Sequence, residues 1–313
     1  MKLFFATDIH GSERCFRKFL NAGAFYGCDV LVMGGDMTGK MLLPIVRRPG
    51  GTFATTIAGR ERVVDAHGLP KLRALIVNGG FYPYECDADE LAALDADPAA
   101  VDRLFRQLMT ETLERWLALA DERLGNGRVC LMAPGNDDPP FVDDLLNASG
   151  AVINPEGRIV ELPGGFEVVS CGTSNPTPWD TPRELPEEEL AAVIEAQAAQ
   201  VARPERAIFN LHVPPKDTPI DQAVLLDSEL RPVMQSGSPV EGGVGSTAVR
   251  DALQRWQPML GLHGHIHESR GEVKLGKTVS LNPGSEYGEG VLRGVIVTLS
   301  EKKGLRGWQF VSG

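Results

Sequence analysis

Short apolar runs alternate with polar, glycine-containing turns along most of this chain, a rhythm that predicts buried strands joined by amphipathic helices. Lys2 to Ala6 and Val30 to Met33 are almost wholly apolar and bounded by polar residues, as strands buried in a sheet are. Between them, Ser12 opens an amphipathic stretch through Leu20, with a hydroxyl suited to capping the first helical turn. Strand, helix and strand in that order predict a βαβ unit. The series resumes with a strand over Val129 to Met132, a helix over Phe141 to Ala148, and a hairpin from Arg158–Leu162 to Phe166–Ser170 turning at Pro163-Gly164-Gly165. A helix over Glu187 to Val201 is opened by Pro186 and by acidic residues that suit the positive end of its dipole. A strand over Ala207 to Leu211, a capped helix over Ser246 to Trp256, and strands over Met259–Leu262, Lys274–Leu281 and Val291–Leu299 complete the pattern.

Two segments break the rhythm. Residues 41–126 offer strand candidates near Phe53–Ala58 and Leu75–Val77, then a long helix. In that helix Val101, Leu104, Phe105, Leu108, Leu113, Trp116, Leu117, Ala120 and Leu124 recur at three- and four-residue steps. This segment reads as a largely helical insertion or cap within one domain. Its stripe is expected to pack inward, with a homo-oligomer contact as the alternative. Pro214 to Gly245, rich in Pro, Gly and Ser, reads as a long loop that shapes access to whatever His212 does.

Composition narrows the function classes. With 313 residues, 42% of them apolar, the chain can bury a large core. Thirty-one basic against 42 acidic residues give a net charge of -11, with no basic tract. Broad nucleic-acid or anionic-membrane binding is therefore disfavoured, because both need a basic face; a small anionic substrate is not. Cys15, Cys28, Cys86, Cys130 and Cys171 are widely spaced and lack CxxC pairs, so they read as buried small apolar residues. The first residues run straight into a strand without a long apolar segment, and the chain is read as cytoplasmic.

The chemistry collects at the ends of the expected strands, where open α/β sheets build their sites. Asp8 and His10 sit two apart before Gly11, so a carboxylate and an imidazole share one face, a divalent-metal ligand pair. Asp36 follows Gly34-Gly35, where absent side chains allow close approach; alone it reads equally well as a turn residue. Asn136 offers an uncharged amide oxygen, His212 an imidazole, and His265 and His267 a pair flanking one residue. His263 is either a core histidine or a partner behind the ligands, and His67 reads as a surface residue.

These segments, DxH, GD, GN, an isolated His and GHxH, stand in the order found in the calcineurin-like metallophosphoesterases, and over roughly residues 1 to 290 the chain resembles that superfamily. Asn282-Pro283-Gly284-Ser285 is similar to the segment that follows GHxH in many bacterial and archaeal members. The resemblance implies a four-layer αββα sandwich of two mixed sheets. It further implies two divalent ions (Mn²⁺, Fe²⁺/³⁺, Zn²⁺ or Ni²⁺), one held by Asp8, His10, Asp36 and His267. The second would be held by Asp36, Asn136, His212 and His265. Such a pair polarises the phosphoryl oxygens and turns a bridging water into hydroxide for in-line attack. Of these ligands only Asp8 and Asp36 are anionic, so +4 from two ions leaves a positive pocket for phosphate despite the acidic chain.

One position departs from the pattern. The family usually has His after GN, a residue that binds phosphate or protonates the leaving group, and this chain has Asp137. An anionic Asp137 repels a dianionic monoester more than a monoanionic diester, so phosphodiesters, nucleotide-derived ones among them, are the expected substrates. A protonated Asp137 would instead be a general acid. Asp138 fits the acidic residue that closes the motif and is grouped with Asp137 as a catalytic candidate. Asn136, Asn175 and Arg183 are substrate-binding candidates. A phosphomonoesterase or protein phosphatase is the alternative enzyme. A protein-interaction scaffold on the same fold, with an eroded site, is the alternative of another class.

Overall fold

A computed structural model describes residues 1–125 and 127–313; residue 126, the last of the expected insertion, lies outside the described residues. Among the described residues two large sheets dominate. The first has five strands in the order 304–312, 293–300, 2–6, 30–33, 129–132, and its last three strands run parallel. The second has six, in the order 271–275, 278–282, 260–262, 207–211, 166–171, 160–162, with a parallel centre.

Alternation along the strands decides what each sheet packs against. In the first strand Leu3 and Phe5, with Val30 and Val32 of its neighbour, meet Val168, Ile208, Leu260 and Leu281 of the second sheet. Phe4, Ala6, Leu31 and Met33 point the other way, onto the helices Glu13–Tyr26, Pro98–Leu124 and Phe141–Ala148. On the far side Val169, Cys171, Phe209 and Leu211 pack against the helices Glu187–Ala198 and Thr247–Trp256. The layers are therefore helix, sheet, sheet, helix, the αββα sandwich. Strands covered on both faces must be apolar throughout, which is why 2–6 and 30–33 are nearly unbroken apolar runs.

The 41–125 segment differs in part from its expected form. It carries three helices, 69–78, 88–95 and 98–124, and also a four-stranded sheet in the order 60–65, 52–57, 42–48, 82–86. Leu75–Val77 lies inside the helix Leu69–Asn78 and not in a strand, because Leu69, Leu72 and Ile76 form a helical stripe over Leu43 and Ile45. The long helix packs by its C-terminal half: Trp116 stacks on Phe16 with centroids 4.2 Å apart and rings 4° from parallel, and its indole N–H donates to Glu13 at 2.7 Å. Its N-terminal half, with Val101, Leu104, Phe105 and Leu108, is only half-buried. Residues 214–245 contain two small antiparallel pairs, 222–224 with 241–243 and 234–235 with 238–239. Lys274–Leu281 straddles a hairpin between 271–275 and 278–282, and 304–312 adds an edge strand. The five cysteines are buried and free. Among the described residues no helix is long and apolar enough to cross a membrane.

Candidate metal centre

Asp8, Asp36, Asn136, His212 and His265 all follow the carboxyl ends of parallel strands, so the sandwich gathers them at one edge of its two sheets. Asp8, His10 and His267 bring one ligand atom each to within 4.8 Å of one another, and so do Asp36, His212 and His265. A third such group, His10, Asp36 and Asp137, joins them. Asp36 lies between the sets, 3.4 Å from His212 Nε2 through Oδ1 and 3.7 Å from His10 Nε2 through Oδ2.

The backbone is held in an unusual shape here. Asp8, His10, Asp36 and His265 have φ of 53°, 38°, 51° and 66°, left-handed values that cost a residue with a side chain about 1–3 kcal/mol each. Close packing holds them there. A Cβ on Gly264 would come within 2.2 Å of Asp8 Oδ2, and one on Gly135 within 2.2 Å of Asp36 Oδ1. The Asn282-Pro283-Gly284-Ser285 segment ties the loops together. Asn282 Nδ2 donates to the Ile266 carbonyl at 3.0 Å and Ser285 Oγ to the Asp8 carbonyl at 2.6 Å.

The donor set fits divalent cations. His212 Nδ1–H donates to the Gly34 carbonyl at 3.0 Å, which directs Nε2 toward Asp36, and among the described residues that buried Nε2 has no hydrogen-bond partner. His10 Nε2 and His267 Nε2 lie 3.0 Å apart, and two neutral imidazoles at that distance call for a proton or a cation between them. Asn136 Nδ2 donates to Thr181 Oγ1 at 2.9 Å, which turns Oδ1 toward His265 Nδ1 at 2.7 Å.

Electrostatics show the same crowding. Burial opposes ionisation of Asp8, yet His267, His212 and His10 outweigh it and hold its carboxyl well below the usual range. For Asp36 burial prevails over His212, and Asp137 and Asp8 add to it, so its carboxyl is pushed up. Burial disfavours His212 as a cation, but Asp36, Asp8 and the Gly34 carbonyl raise it to about 10. Burial and the neighbouring His212 push His265 down to about 3.

The remaining candidates separate. Asp137 lines a cavity of about 620 Å³ together with Asp36, Asn136, His265 and His267. Asp138 does not line it: it is fully buried, and its carboxylate accepts from Met37 N, Thr38 N, Thr38 Oγ1 and Gly135 N at 2.8–3.0 Å. Arg183 is a strut, donating to the Asp138 and Pro139 carbonyls and to Asp143, and Asn175 reaches toward the Val244 carbonyl; neither side chain lines the cavity. His263 is fully buried, donates from Nδ1 to the Leu211 carbonyl at 2.7 Å just before His212, and is driven down to about 4 by burial. Lys40, which no motif flags, places Nζ 2.7 Å from Asp137 Oδ2. Phe105, Met109, Pro139, Trp179, Pro182 and Glu268 complete the walls with it.

The nearly full-length match to one solved structure has a TM-score of 0.60 at 16% identity, covering 99% of this chain and 98% of that one. The protein TT1561 of Thermus thermophilus matches at TM-score 0.54 and 12% identity, covering 100% of this chain and 97% of that one. These likenesses extend over the whole chain and are to its α/β fold. In sequence the chain is 33% identical over 156 residues to the uncharacterized protein MJ1162 of Methanocaldococcus jannaschii. That match covers 49% of this chain and 62% of the relative's length. No family model matches the chain.

Proposed function

We propose that this protein is a phosphoric ester hydrolase dependent on two divalent metal ions, acting on phosphodiesters in preference to monoesters. The observation that carries the reading is the convergence of two carboxylates, four imidazoles and one amide oxygen at one edge of the two sheets, with Asp36, Asn136, His265 and His267 of that set lining a single cavity. Asp8, His10 and His267 would hold one ion, and His212, His265 and Asn136 the other, with Asp36 between them. Bound there, the ions would supply Lewis acidity toward the phosphoryl oxygens and lower the pKa of a water. A scaffold has no need of this donor set, nor of strained backbone at four of its members.

The chain's own residues set the rest. Thr181 fixes the Asn136 amide, Asp138 clamps the Asp36 loop to the Asn136 loop, and His263 braces the strand end before His212. Asp137 stands in the cavity as an acceptor, where its charge opposes a second negative charge on phosphate. Lys40 beside it offsets part of that charge, so diester preference rests on a balance within the pair.

The experiment is metal analysis plus hydrolysis of matched diester and monoester p-nitrophenyl substrates with Mn²⁺, for the wild type and His265→Ala. Metal uptake with diester activity, both reduced in the variant, is expected. A chain that binds no metal would sink the enzyme reading in favour of the scaffold, and activity confined to monoesters would sink the diester preference.

A further inference from the structure

The cavity is far larger than a phosphate group requires, and its walls differ from its floor. Volumes of several hundred Å³ with apolar walls suit an organic ligand of drug-like size. On one side the inserted helix contributes Phe105 and Met109. Other walls come from Pro139, Trp179 and Pro182. Trp179 leaves 61% of its surface in water, whereas Trp116 is fully buried.

Phe105 and the backbone that carries Trp179 are held in advance. Phe105 meets the ring of Tyr82 edge-on at 5.6 Å, and the Tyr82 hydroxyl in turn accepts from Gly39 N at 2.9 Å, next to Lys40. The Trp179 loop is wound around Glu184, whose carboxylate accepts from the backbone and hydroxyl of both Thr177 and Thr181. Trp179 N donates to Thr177 Oγ1 at 3.2 Å, and the same loop reaches the metal centre through Thr181 and Asn136. Aromatic surface carried on a fixed backbone next to a phosphoryl site suits a flat ring for stacking at reduced entropic cost. Charge narrows the ligand further: Asp137 and Glu268 line the cavity, and Lys40 is already paired, so a chain of several phosphates is disfavoured.

We infer that the substrate's organic part is a flat aromatic group, such as a nucleoside base, received against Trp179 and the Phe105–Met109 face, on an ester with one phosphate. This rests on the phosphoesterase reading of the floor. The sequence hint is slight, a lone Trp in a Pro-rich loop.

Two diesters with one leaving group test it: thymidine 5′-(p-nitrophenyl phosphate) and methyl p-nitrophenyl phosphate, each with Mn²⁺. In Trp179→Ala, kcat/KM for the thymidine ester is expected to fall roughly 5- to 100-fold, the range a lost base–aromatic stack gives, with less than a twofold change for the methyl ester and recovery in Trp179→Phe. Titration with thymidine alone is expected to quench tryptophan emission in the wild type and not in Trp179→Phe. Equal loss on both esters, or none on either, would overturn the inference while leaving the phosphoesterase reading intact. Thymidine quenching in a chain that hydrolyses neither diester nor p-nitrophenyl phosphate would keep the aromatic subsite and refute the phosphoesterase reading. Neither quenching nor hydrolysis would refute both.

Discussion

Thr181 Oγ1 accepts from Asn136 Nδ2 at 2.9 Å and donates to Glu184 Oε1 at 2.6 Å, so this hydroxyl, together with Asp137 Oδ1 at 3.3 Å from the same Nδ2, sets which way a candidate ligand faces. Without it the amide could turn and offer N–H to the floor in place of oxygen. Removal of such a supporting hydrogen bond costs metal affinity or activity about 10- to 100-fold. Thr181→Val is expected to show that loss in Mn²⁺ titrations and in kcat/KM, and Thr181→Ser to recover most of it. Full activity in Thr181→Val would show that Asp137 Oδ1 and His265 Nδ1, the amide's other partners, suffice to fix Asn136.

Lys40 and Asp137 form the charge balance at the cavity wall, and its two halves predict opposite effects. Lys40→Met leaves the Asp137 charge without its partner, so monoester turnover falls more than diester turnover. Asp137→Asn removes the repulsion and moves the ratio the other way. The pair is half-exposed on the lysine side, which screens it, so each ratio is expected to change by roughly 3- to 10-fold. Ratios of kcat/KM for matched p-nitrophenyl esters check this; shifts in the same direction would refute the balance.

What is legible in the sequence is what local pattern determines. The strand ends carry Asp8, Asp36, His212 and His265 because buried parallel strands must be apolar up to the point where they leave the sheet, so polarity changes abruptly there. Lys40 and Trp179 are not legible, since a lone lysine or tryptophan acquires meaning only from what the fold sets beside it. In 173–185 the sequence points to Asn175 and Arg183, whereas Trp179 and Pro182 face the cavity. The insertion's sheet escapes notice for a different reason. Strand 60–65, Arg-Glu-Arg-Val-Val-Asp, is a mostly exposed edge without apolar alternation, and Pro44 interrupts 42–48.

Glu156 gives a pH dependence. Burial pushes its carboxyl up from 4.5 to about 7, against the Gly172 N–H it accepts from at 3.0 Å. The folded state therefore holds this proton more tightly than the unfolded chain, so the associated stability is fully present below pH 4.5 and is lost as pH rises through 7. Glu156→Gln keeps an acceptor for Gly172 and removes the charge. Urea unfolding is expected to show the variant more stable than wild type by roughly 1–3 kcal/mol at pH 8.5, with the difference shrinking toward pH 4.5. A difference constant across that range would assign the effect to packing.

Asp138 stands among the catalytic candidates by its place in the motif, but its surroundings give it a different task. Its two oxygens meet three backbone N–H groups and one hydroxyl, with no face toward the cavity, so it joins the Met37–Thr38 turn after Asp36 to Gly135 before Asn136. Asp138→Asn must turn an NH₂ group against at least one of those donors, leaving a buried N–H unmatched. The expected cost is about 2–4 kcal/mol of unfolding free energy, measured by denaturant titration of the metal-free protein, where no reaction chemistry contributes. The Mn²⁺ affinity should fall with it, because the two loops carrying Asp36 and Asn136 lose their common anchor. A variant with wild-type stability and metal affinity but no turnover would return Asp138 to the chemistry.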